Sequence, residues 1–269
     1  MNYRKINKCR CCKNKKLNNY INFGMQNLTT SFAAKTNNNE KKIPLEVVIC
    51  NNCSLIQLRH NYKLKYLYND KYGYRSGINQ SMSNHFDTIM RDINKYKKLN
   101  RNDIVLDIAS NDGTLLKKYK NKKITKIGID PIISKYKKLY PKKILTCNDF
   151  FTDKNFFKLS KSKKASIITS IAVFYDVIDP DKFIKHIGNI LDKEGIWILE
   201  QSYFPLLIEN NAYDSICHEH LTYFIMKQLN LLLKKYDLKI FNAKLNSMNG
   251  GSARYFISHK DSKYKNNLK

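Results

Sequence analysis

Two Cys-x-x-Cys pairs constrain the fold of this chain more than any other feature. Cys9 and Cys12 form the first pair, and Cys50 and Cys53 form the second. A pair of thiolates at this spacing can bind one zinc ion from a tight turn, and two pairs complete a tetrahedral shell of four sulfur ligands. Residues 1–60 are therefore predicted to fold as a zinc-ribbon-like module around one structural Zn²⁺ ion.

The charge of the chain favours a biased composition over a nucleic-acid-binding surface. Lys and Arg number 49 and Asp and Glu number 22, which gives a formal net charge of +27. An excess of this size can attract an anionic partner. However, nearly all of it is Lys spread along the chain, and Arg, the preferred residue for bidentate phosphate and base contacts, is scarce. Nucleic acid is therefore not the expected partner.

The sequence predicts a cytoplasmic protein that holds a metal rather than disulfides. No apolar run approaches the ~20 residues that span a bilayer, and the N-terminus has no apolar segment typical of a signal peptide. The seven cysteines include two Cys-x-x-Cys pairs, which favour metal binding in such a compartment.

Apolar runs of strand length alternate with helical stretches from residue 103 onward. Such alternation is typical of right-handed βαβ units, which build a parallel sheet. We predict a Rossmann-like α/β domain over residues 101–260, with seven strands and the last inserted antiparallel. Residues 61–100 are predicted to be a helical, Tyr-rich connecting segment, and residues 261–269 a polar tail that frays. The predicted strands are 103–109, 124–129, 144–146, 165–171, 195–200, 238–244 and 252–259.

The turn after the first predicted strand has the features of a cofactor-binding loop. It lies at the carboxyl edge of the sheet, where doubly wound folds bind ligands, and Gly113 lets a ligand approach the backbone closely. The turn is acidic and has one glycine, so it does not match a dinucleotide fingerprint. It suits a ligand with an amino group and no phosphate, such as S-adenosylmethionine. The alternative is that Asp112 and Asp130 cap turns or helices.

Polar residues also follow the next two predicted strands. Asp130 closes the second strand, where an acid can accept both ribose hydroxyls. Asn148 and Asp149 follow the third strand, where they could hold the adenine amino group. An aromatic stretch before the sheet supplies side chains suited to stacking and hydrogen bonding. The predicted cofactor-binding residues are Asp107, Ser110, Asn111, Asp112, Gly113, Asp130, Asn148, Asp149, Tyr72 and Ser76.

The segment from Cys217 to His220 is the densest chemical cluster of the chain. It follows the fifth strand, on the face where the cofactor is expected. A histidine of this segment can act as a general base near neutral pH, and the adjacent Glu219 can tune or orient a neighbour. The alternatives are a second metal site, or one satisfied structural histidine and one exposed histidine. The residues predicted to complete an acceptor pocket are Tyr175 (beside Asp176), Gln201, Tyr203, His218, Asn249 and Arg254.

The order of these motifs resembles the zinc-containing sugar C-methyltransferases, a group that includes C-3 methyltransferases of deoxysugar biosynthesis. The resemblance covers nearly the whole chain. It implies a class I, S-adenosylmethionine-dependent methyltransferase domain acting on a sugar or nucleotide-sugar precursor of surface polysaccharide. It also implies a structural zinc, His220 as general base, and Glu219 and Tyr74 in support. The motifs are the two Cys pairs, 74–79 (YRSGIN), 109–113 (ASNDG), 174–176 (FYD), 213–223 (YDSICHEHLTY) and 249–254 (NGGSAR).

Two departures from this family qualify the expected acceptor. Cys217 stands where the family often has Tyr, and the chain ends soon after the seventh strand, whereas typical members continue into a C-terminal domain that helps to hold the nucleotide-sugar. A smaller acceptor, a partner chain that supplies the missing domain, or a degenerate remnant are therefore alternatives. Oxygen or nitrogen methylation, nucleic-acid methylation and a non-catalytic scaffold are the competing functions.

Overall fold

The computed structural model describes residues 3–29, 42–69 and 72–268. Its strands are β1 (Tyr3–Lys5), β2 (Leu17–Gln26), β3 (Ile43–Cys50), β4 (Ile56–Leu58), β5 (His60–Tyr62), β6 (Ile104–Ile108), β7 (Thr125–Ile129), β8 (Ile144–Cys147), β9 (Ala165–Ile171), β10 (Leu191–Ser202), β11 (Thr222–Tyr223), β12 (Leu238–Asn246) and β13 (Ser252–His259). Its helices are α1 (Leu64–Leu67), α2 (Gln80–Tyr96), α3 (Thr114–Lys118), α4 (Ile133–Tyr136), α5 (Asp153–Ser160), α6 (Pro180–Ile190), α7 (Phe204–Glu209) and α8 (Met226–Leu233).

Seven strands form one mixed sheet in the order β12-β13-β10-β9-β6-β7-β8. The strands from β6 to β10 are parallel, and β13 lies antiparallel to both of its neighbours, β10 and β12. Helices on both faces exclude water from the central strands, so β6 and β9 are apolar runs with nearly every residue buried. The predicted Rossmann-like α/β sheet, with the last strand inserted antiparallel, is confirmed.

Helix α2 illustrates how the sequence fixes the layers beside this sheet. Asn79 caps its first turn by accepting the N–H of Ser81. Ile89 and Ile93, one turn apart, are fully buried, whereas the opposite face is exposed. The helix therefore closes one face of the sheet, within the segment that the sequence predicts to be helical and rich in Tyr.

The N-terminal strands form a second, smaller sheet that packs against the rest of the protein. Its order is β11-β4-β3-β2, and β1 pairs with β5. The strand β11 lies much later in the chain, directly after the predicted catalytic segment. The main apolar core contains Cys9 and Cys53 together with Trp197 and Phe224. The N-terminal module and the seven-stranded domain thus share one core.

The prediction that the tail frays is wrong at Tyr264. This ring is 8% exposed and stacks on Phe241 at a centroid distance of 4.8 Å. Its hydroxyl lies 3.3 Å from the carbonyl oxygen of Glu194. Together with the N–H of Asn267, which donates to the carbonyl of Phe241 at 2.8 Å, this ring holds an otherwise polar segment against β12. Among the described helices, none is long and apolar enough to cross a membrane.

Candidate metal centre and active site

Cys9, Cys12, Cys50 and Cys53 bring four sulfur atoms within 4.8 Å of one another. The Cys9 and Cys53 sulfurs are 3.6 Å apart, and those of Cys12 and Cys50 are 3.5 Å apart. All the cysteines are free thiols. A tetrahedral site with Zn–S bonds of about 2.3 Å requires sulfur separations of about 3.8 Å. The donor set and its spacing therefore fit one Zn²⁺ ion.

The two Cys pairs lie in turns that have the same hydrogen bonds. The N–H of Lys13 donates to the carbonyl of Cys9 at 3.0 Å, and the N–H of Ser54 donates to that of Cys50 at 2.9 Å. Both Lys13 and Ser54 adopt positive φ angles, 63° and 58°. The neighbouring Cys53 thiol and burial raise the pKa of Cys9 to about 12, so zinc binding must release protons from the cluster.

A cavity of about 840 Å³ opens at the carboxyl edge of the large sheet. Its volume lies within the range of small-molecule binding sites. Its wall combines the ends of β6, β7 and β9 with residues 72–76 and with residues around 214–220. The predicted site residues that line it are Tyr72, Tyr74, Ser76, Asp107, Ser110, Asn111, Asp130, Tyr175, Glu219, His220 and Asn249.

Asp130, directly after β7, holds the loop that follows β6. Its two carboxylate oxygens accept the N–H of Asn111 at 2.9 Å and the N–H of Ile132 at 2.8 Å. The residue is 5% exposed, and burial raises its pKa. Each oxygen has a further lone pair, so the carboxylate can still accept hydroxyl groups of a ligand.

Tyr140 braces the same loop. Its hydroxyl donates to the carbonyl of Asn111 at 2.8 Å and lies 2.8 Å from the Ser110 hydroxyl. Gly113 has a φ of 73°, and a Cβ at this position would lie 2.7 Å from the Tyr140 ring. Gly113 does not line the cavity, so the structure gives this glycine a packing role.

Asn111 and Asp112 fasten residues 74–77 to the loop. The Asn111 amide oxygen accepts the N–H of Ser76 at 3.0 Å. An Asp112 oxygen accepts a hydrogen bond from Nε of Arg75 at 3.1 Å. The Asp112 side chain is fully buried and lies outside the cavity wall. It therefore positions the loop rather than facing a ligand.

Asp107 is a buried acid at the next-to-last position of β6, just before the loop. The residue is 4% exposed, and its Oδ1 accepts a hydrogen bond from the Thr169 hydroxyl at 2.6 Å. Burial raises its pKa to about 7. The group therefore exchanges between acid and carboxylate near neutral pH, and a nearby cation would favour the carboxylate.

Asn148 and Asp149 are exposed, and the structure places neither in the cavity wall. Both side chains accept hydrogen bonds from nearby backbone N–H groups. Phe150 and Phe151, the next two residues, line the cavity together with Ile132. This apolar surface suits a flat ring such as adenine, and the consecutive aromatic residues in the sequence were the signal for it.

His220 lies at the other end of the cavity. Its Nδ1 is 2.7 Å from the carbonyl oxygen of Ser215, so Nδ1 carries a hydrogen and donates it to this oxygen. The ring contacts Tyr175 at a centroid distance of 4.5 Å. The Thr222 hydroxyl donates to the carbonyl of Tyr175 at 3.1 Å and links the two loops. This arrangement allows His220 to accept a proton at Nε2.

Asp176 and Glu219 place two carboxyl groups beside His220. Burial raises the pKa of Asp176 well above its usual range and also raises that of Glu219. The Tyr68 hydroxyl donates to Oδ2 of Asp176 at 3.0 Å, and within the described parts of the chain Oδ1 has no hydrogen-bond partner. Asp176 is therefore favoured as a neutral acid whose Oδ1 can carry the proton.

Several predicted acceptor residues do not reach the cavity wall. The His218 ring is fully buried and packs edge-on against Tyr62 at 5.0 Å, and burial lowers the pKa of His218 to about 4. Gln201 is 1% exposed within β10. The N–H of Tyr203 donates to the carbonyl of Gly251 at 3.0 Å, and its ring packs against the core.

Arg254 is buried in an ion-pair network behind the cavity. Its Nε donates to Glu200 and its Nη1 donates to Asp92, both at 2.6 Å. His85 also contacts Glu200. Because these side chains belong to α2, β10 and β13, the network fastens the helix to the sheet. The position of Glu200 near the end of a central strand did not allow its ion pair with Arg254 to be predicted from the sequence.

The cavity wall is acidic although the chain is strongly basic. Its described lining contains one lysine, Lys182, and two histidines, against six carboxyl groups. The carboxyl groups belong to Asp107, Asp130, Asp176, Asp179, Asp214 and Glu219. With one lysine and no arginine, the described wall offers little positive charge to a polyanion, so the net charge of the chain does not make the cavity a nucleic-acid site.

Two family models match the chain. The methyltransferase domain model matches residues 82–242, which contain the five parallel strands of the large sheet and most of the cavity wall. A zinc binding domain model matches residues 9–68, which contain all four clustered cysteines. The two matches coincide with the two parts of the molecule that share the core.

A curated relative matches most of the chain. The C-methyltransferase NovU from Streptomyces niveus is 24% identical over 258 residues, which are 95% of this chain and 61% of NovU. This chain therefore spans about three fifths of the length of that relative.

Solved structures share the fold of the large domain. The PH0226 protein from Pyrococcus horikoshii OT3 is 16% identical with a TM-score of 0.54, covering 74% of this chain and 100% of its own. The plantazolicin methyltransferase BamL, in complex with a desmethylPZN analog and SAH, is 15% identical with a TM-score of 0.54, covering 68% of this chain and 87% of its own.

Proposed function

This chain belongs to the methyltransferase domain family and carries a class I, S-adenosylmethionine-dependent methyltransferase domain, and we propose that it methylates a carbon next to a ketone in a sugar or nucleotide-sugar precursor of surface polysaccharide. One observation carries the proposal: the His220 ring, whose Nδ1 donates to the Ser215 carbonyl, and the Asp176 carboxyl group line the same cavity as the loop after β6. Support for carbon as the methylated atom comes from the similarity to a C-methyltransferase over 95% of the chain.

The donor set at the β6 end of the cavity fits S-adenosylmethionine. In our proposal, Asp130 accepts the ribose hydroxyls, Asp107 accepts the ammonium, and Phe150 and Phe151 contact the adenine. When bound, S-adenosylmethionine supplies a methyl group activated by a positively charged sulfur. The fully buried Asp112 and the braced Gly113 act on this ligand only through the loop that they shape.

The residues at the other end can promote formation of an enolate. His220 removes the proton from the carbon next to the ketone through Nε2, while the Nδ1–H bond to Ser215 fixes the ring. The electron pair moves onto the ketone oxygen. Asp176 donates a hydrogen bond from Oδ1 to this oxygen, because Tyr68 occupies its Oδ2. The carbon would then form the bond to the methyl group while the S–CH3 bond of the donor breaks and its electron pair stays on sulfur. The ketone would re-form, and His220 would release its proton to water.

The charge of the wall limits where an acceptor can carry phosphate. Only Lys182 is a lysine or arginine among the described lining residues, so we infer that the sugar enters the cavity while a diphosphate remains at its mouth. Four unoxidised thiols are needed for zinc, which supports a reducing compartment such as the cytoplasm. A partner chain that adds to the acceptor surface remains part of this proposal.

The proposal is tested with ¹³C-methyl-labelled S-adenosylmethionine and a nucleotide-linked 4-keto-6-deoxy sugar in D2O. We expect NMR to show a new carbon–methyl bond next to the ketone. We also expect the protein alone to exchange the proton of that carbon for deuterium, because enolate formation precedes methyl transfer. Label on oxygen would instead make His220 a base for a hydroxyl group. If the cofactor binds but neither deuterium exchange nor methyl transfer is observed, the proposed acceptor class is contradicted.

A further inference from the structure

We propose that Gln228 is a positioning residue. It connects the zinc site to the loop that carries His220, so that this loop is ordered only when the zinc site is ordered. The inference rests on the proposed function, since it takes His220 as the base. It concerns the segment from Leu221 to Gln228, which follows His220 directly and contains β11. Both ends of this segment are fastened to the zinc module rather than to the cofactor loop.

Gln228 uses both ends of its side-chain amide. Its Nε2 donates to the carbonyl of Cys53 at 2.9 Å, and its Oε1 accepts the N–H of Ile225 at 3.0 Å. Its own carbonyl lies 3.6 Å from the sulfur of Cys11. The residue is 1% exposed. One buried amide thus joins a Cys turn of the metal site to the backbone after β11.

The beginning of the segment has its own anchor. The carbonyl of Leu221 accepts the N–H of Leu58 at 2.9 Å and Nη1 of Arg10 at 3.4 Å. Arg10 is 4% exposed and lies between Cys9 and Cys12 in sequence, and its Nη1 also donates to the carbonyl of Leu58 at 2.6 Å. The first residue after the base is therefore tied to a side chain that emerges from the metal site.

The other flank of His220 is less firmly packed. Its Nδ1 bonds to Ser215, which ends a single short turn, Tyr213–Ser215. Tyr213 is 83% exposed, and the residues on either side of the turn, Ala212 and Ile216, pack against the apolar cluster of β3, β4 and β11. The order of this flank therefore also depends on the N-terminal module. Loss of the zinc cross-link would free the Cys53 turn, and Gln228 would lose its fixed acceptor.

The test measures the His220 ring directly and needs no acceptor. In protein labelled with ¹⁵N-histidine, the Nδ1–H signal of His220 is assigned by its absence in His220→Ala. Hydrogen exchange of residues 217–224, zinc content and S-adenosylmethionine affinity are measured on the same samples. The variants are Gln228→Met, which removes both amide bonds, and Gln228→Glu, which retains the acceptor for Ile225. Gln228→Glu serves as the second variant should Gln228→Met fold poorly.

We expect both variants to retain zinc and to bind S-adenosylmethionine within about threefold of the wild type. We expect the His220 signal to broaden or vanish and residues 217–224 to exchange at least about tenfold faster. The matched control is Ile196→Val, a fully buried position in the apolar cluster on the α2 side of the sheet. It should lower thermal stability without a selective change at His220.

Zinc removal completes the argument. A chelator should produce the same loss of the His220 signal in the wild type and little additional loss in Gln228→Met, because both changes act through one link. An unchanged signal and unchanged exchange in the Gln228 variants would overturn the inference. So would equal changes in Ile196→Val. A fully active His220→Ala would instead contradict the proposed base while leaving the Gln228 link measurable.

Discussion

The two ends of the cavity are held in place in different ways. The cofactor end is braced by its own neighbours: Asp130 and Tyr140 bond to the loop after β6, and Asp112 of that loop accepts the N–H of Gly77. The acceptor end is fastened from outside, because Gln228 and Leu221 bond to the zinc module. This difference implies that cofactor binding and base positioning can fail independently.

The difference also suggests why the metal site lies where it does, close to the anchors of the acceptor end. The zinc ligands share an apolar core with Phe224, which lies between the two anchors of the acceptor end. In our proposal, a structural metal placed there stabilises the acceptor end of the active site more than the cofactor end. The variants below separate the two ends.

Removal of one zinc ligand should have the largest effect. In Cys50→Ser, we expect loss of the bound zinc and cooperative unfolding of the N-terminal module, since metal binding and folding are coupled in such modules. Zinc analysis and thermal melting measure the effect. Cys147→Ser is the control, because Cys147 lies on β8 outside the cluster. A Cys50→Ser protein with full zinc content and wild-type melting would contradict the four-ligand site.

His220→Ala tests the acceptor end without touching the metal. We expect turnover to fall by about 10²–10⁴-fold, the usual contribution of a general base. Affinity for S-adenosylmethionine, measured by calorimetry, should change by less than about twofold, because the ring contacts Tyr175 rather than the cofactor loop. His259→Ala, on the far strand β13, provides the control. Near-normal turnover in His220→Ala would exclude it as the base.

The cofactor end was largely predictable because its residues follow parallel strands in order. A strand, an acidic turn and a second strand ending in Asp130 determine where these groups meet, whatever the rest of the chain does. The sequence predicted a ligand-contacting role for Asp112 and Gly113, whereas the structure places them outside the cavity wall. Side chains on a tight loop alternate between the ligand and the supporting structure, and sequence alone does not distinguish the two.

The acceptor end was harder to predict because its order depends on distant contacts. Asp176 was visible only as the neighbour of Tyr175, and its high pKa results from burial by several separate segments. Gln228 lies in an ordinary amphipathic helix, and nothing local indicates that its amide reaches Cys53. His218 looked as reactive as His220, yet burial against Tyr62 removes it from the cavity.

Asp176 can be tested with a pair of substitutions. In Asp176→Asn, a neutral donor and an acceptor for Tyr68 both remain, so we expect turnover to fall by less than about tenfold. In Asp176→Leu, the donor to the enolate oxygen is lost, and turnover should fall by about 10²-fold or more. Steady-state kinetics measures both, with cofactor affinity as the control. Equal losses in the two variants would contradict the role of a neutral donor.

The smallest expected effect is a change in the pH dependence of stability at the cofactor end. Burial raises the pKa of Asp107 to about 7 in the folded state, compared with an unfolded value of 3.8. The folded state therefore binds the proton more tightly, and the stability that this provides is fully present below about pH 4 and is lost as the pH rises through about 7. Asp107→Asn keeps an acceptor for Thr169 and cannot ionise. We expect it to gain stability relative to the wild type between pH 4 and 7, by at most about 4 kcal/mol, and to keep a constant advantage above that. Denaturant unfolding without cofactor over this pH range measures the difference, with the exposed Asp149→Asn as the control. If the stability difference between Asp107→Asn and the wild type did not grow with pH, Asp107 would not be held as a neutral acid. The comparison between the two ends of the cavity would then rest on their hydrogen bonds alone.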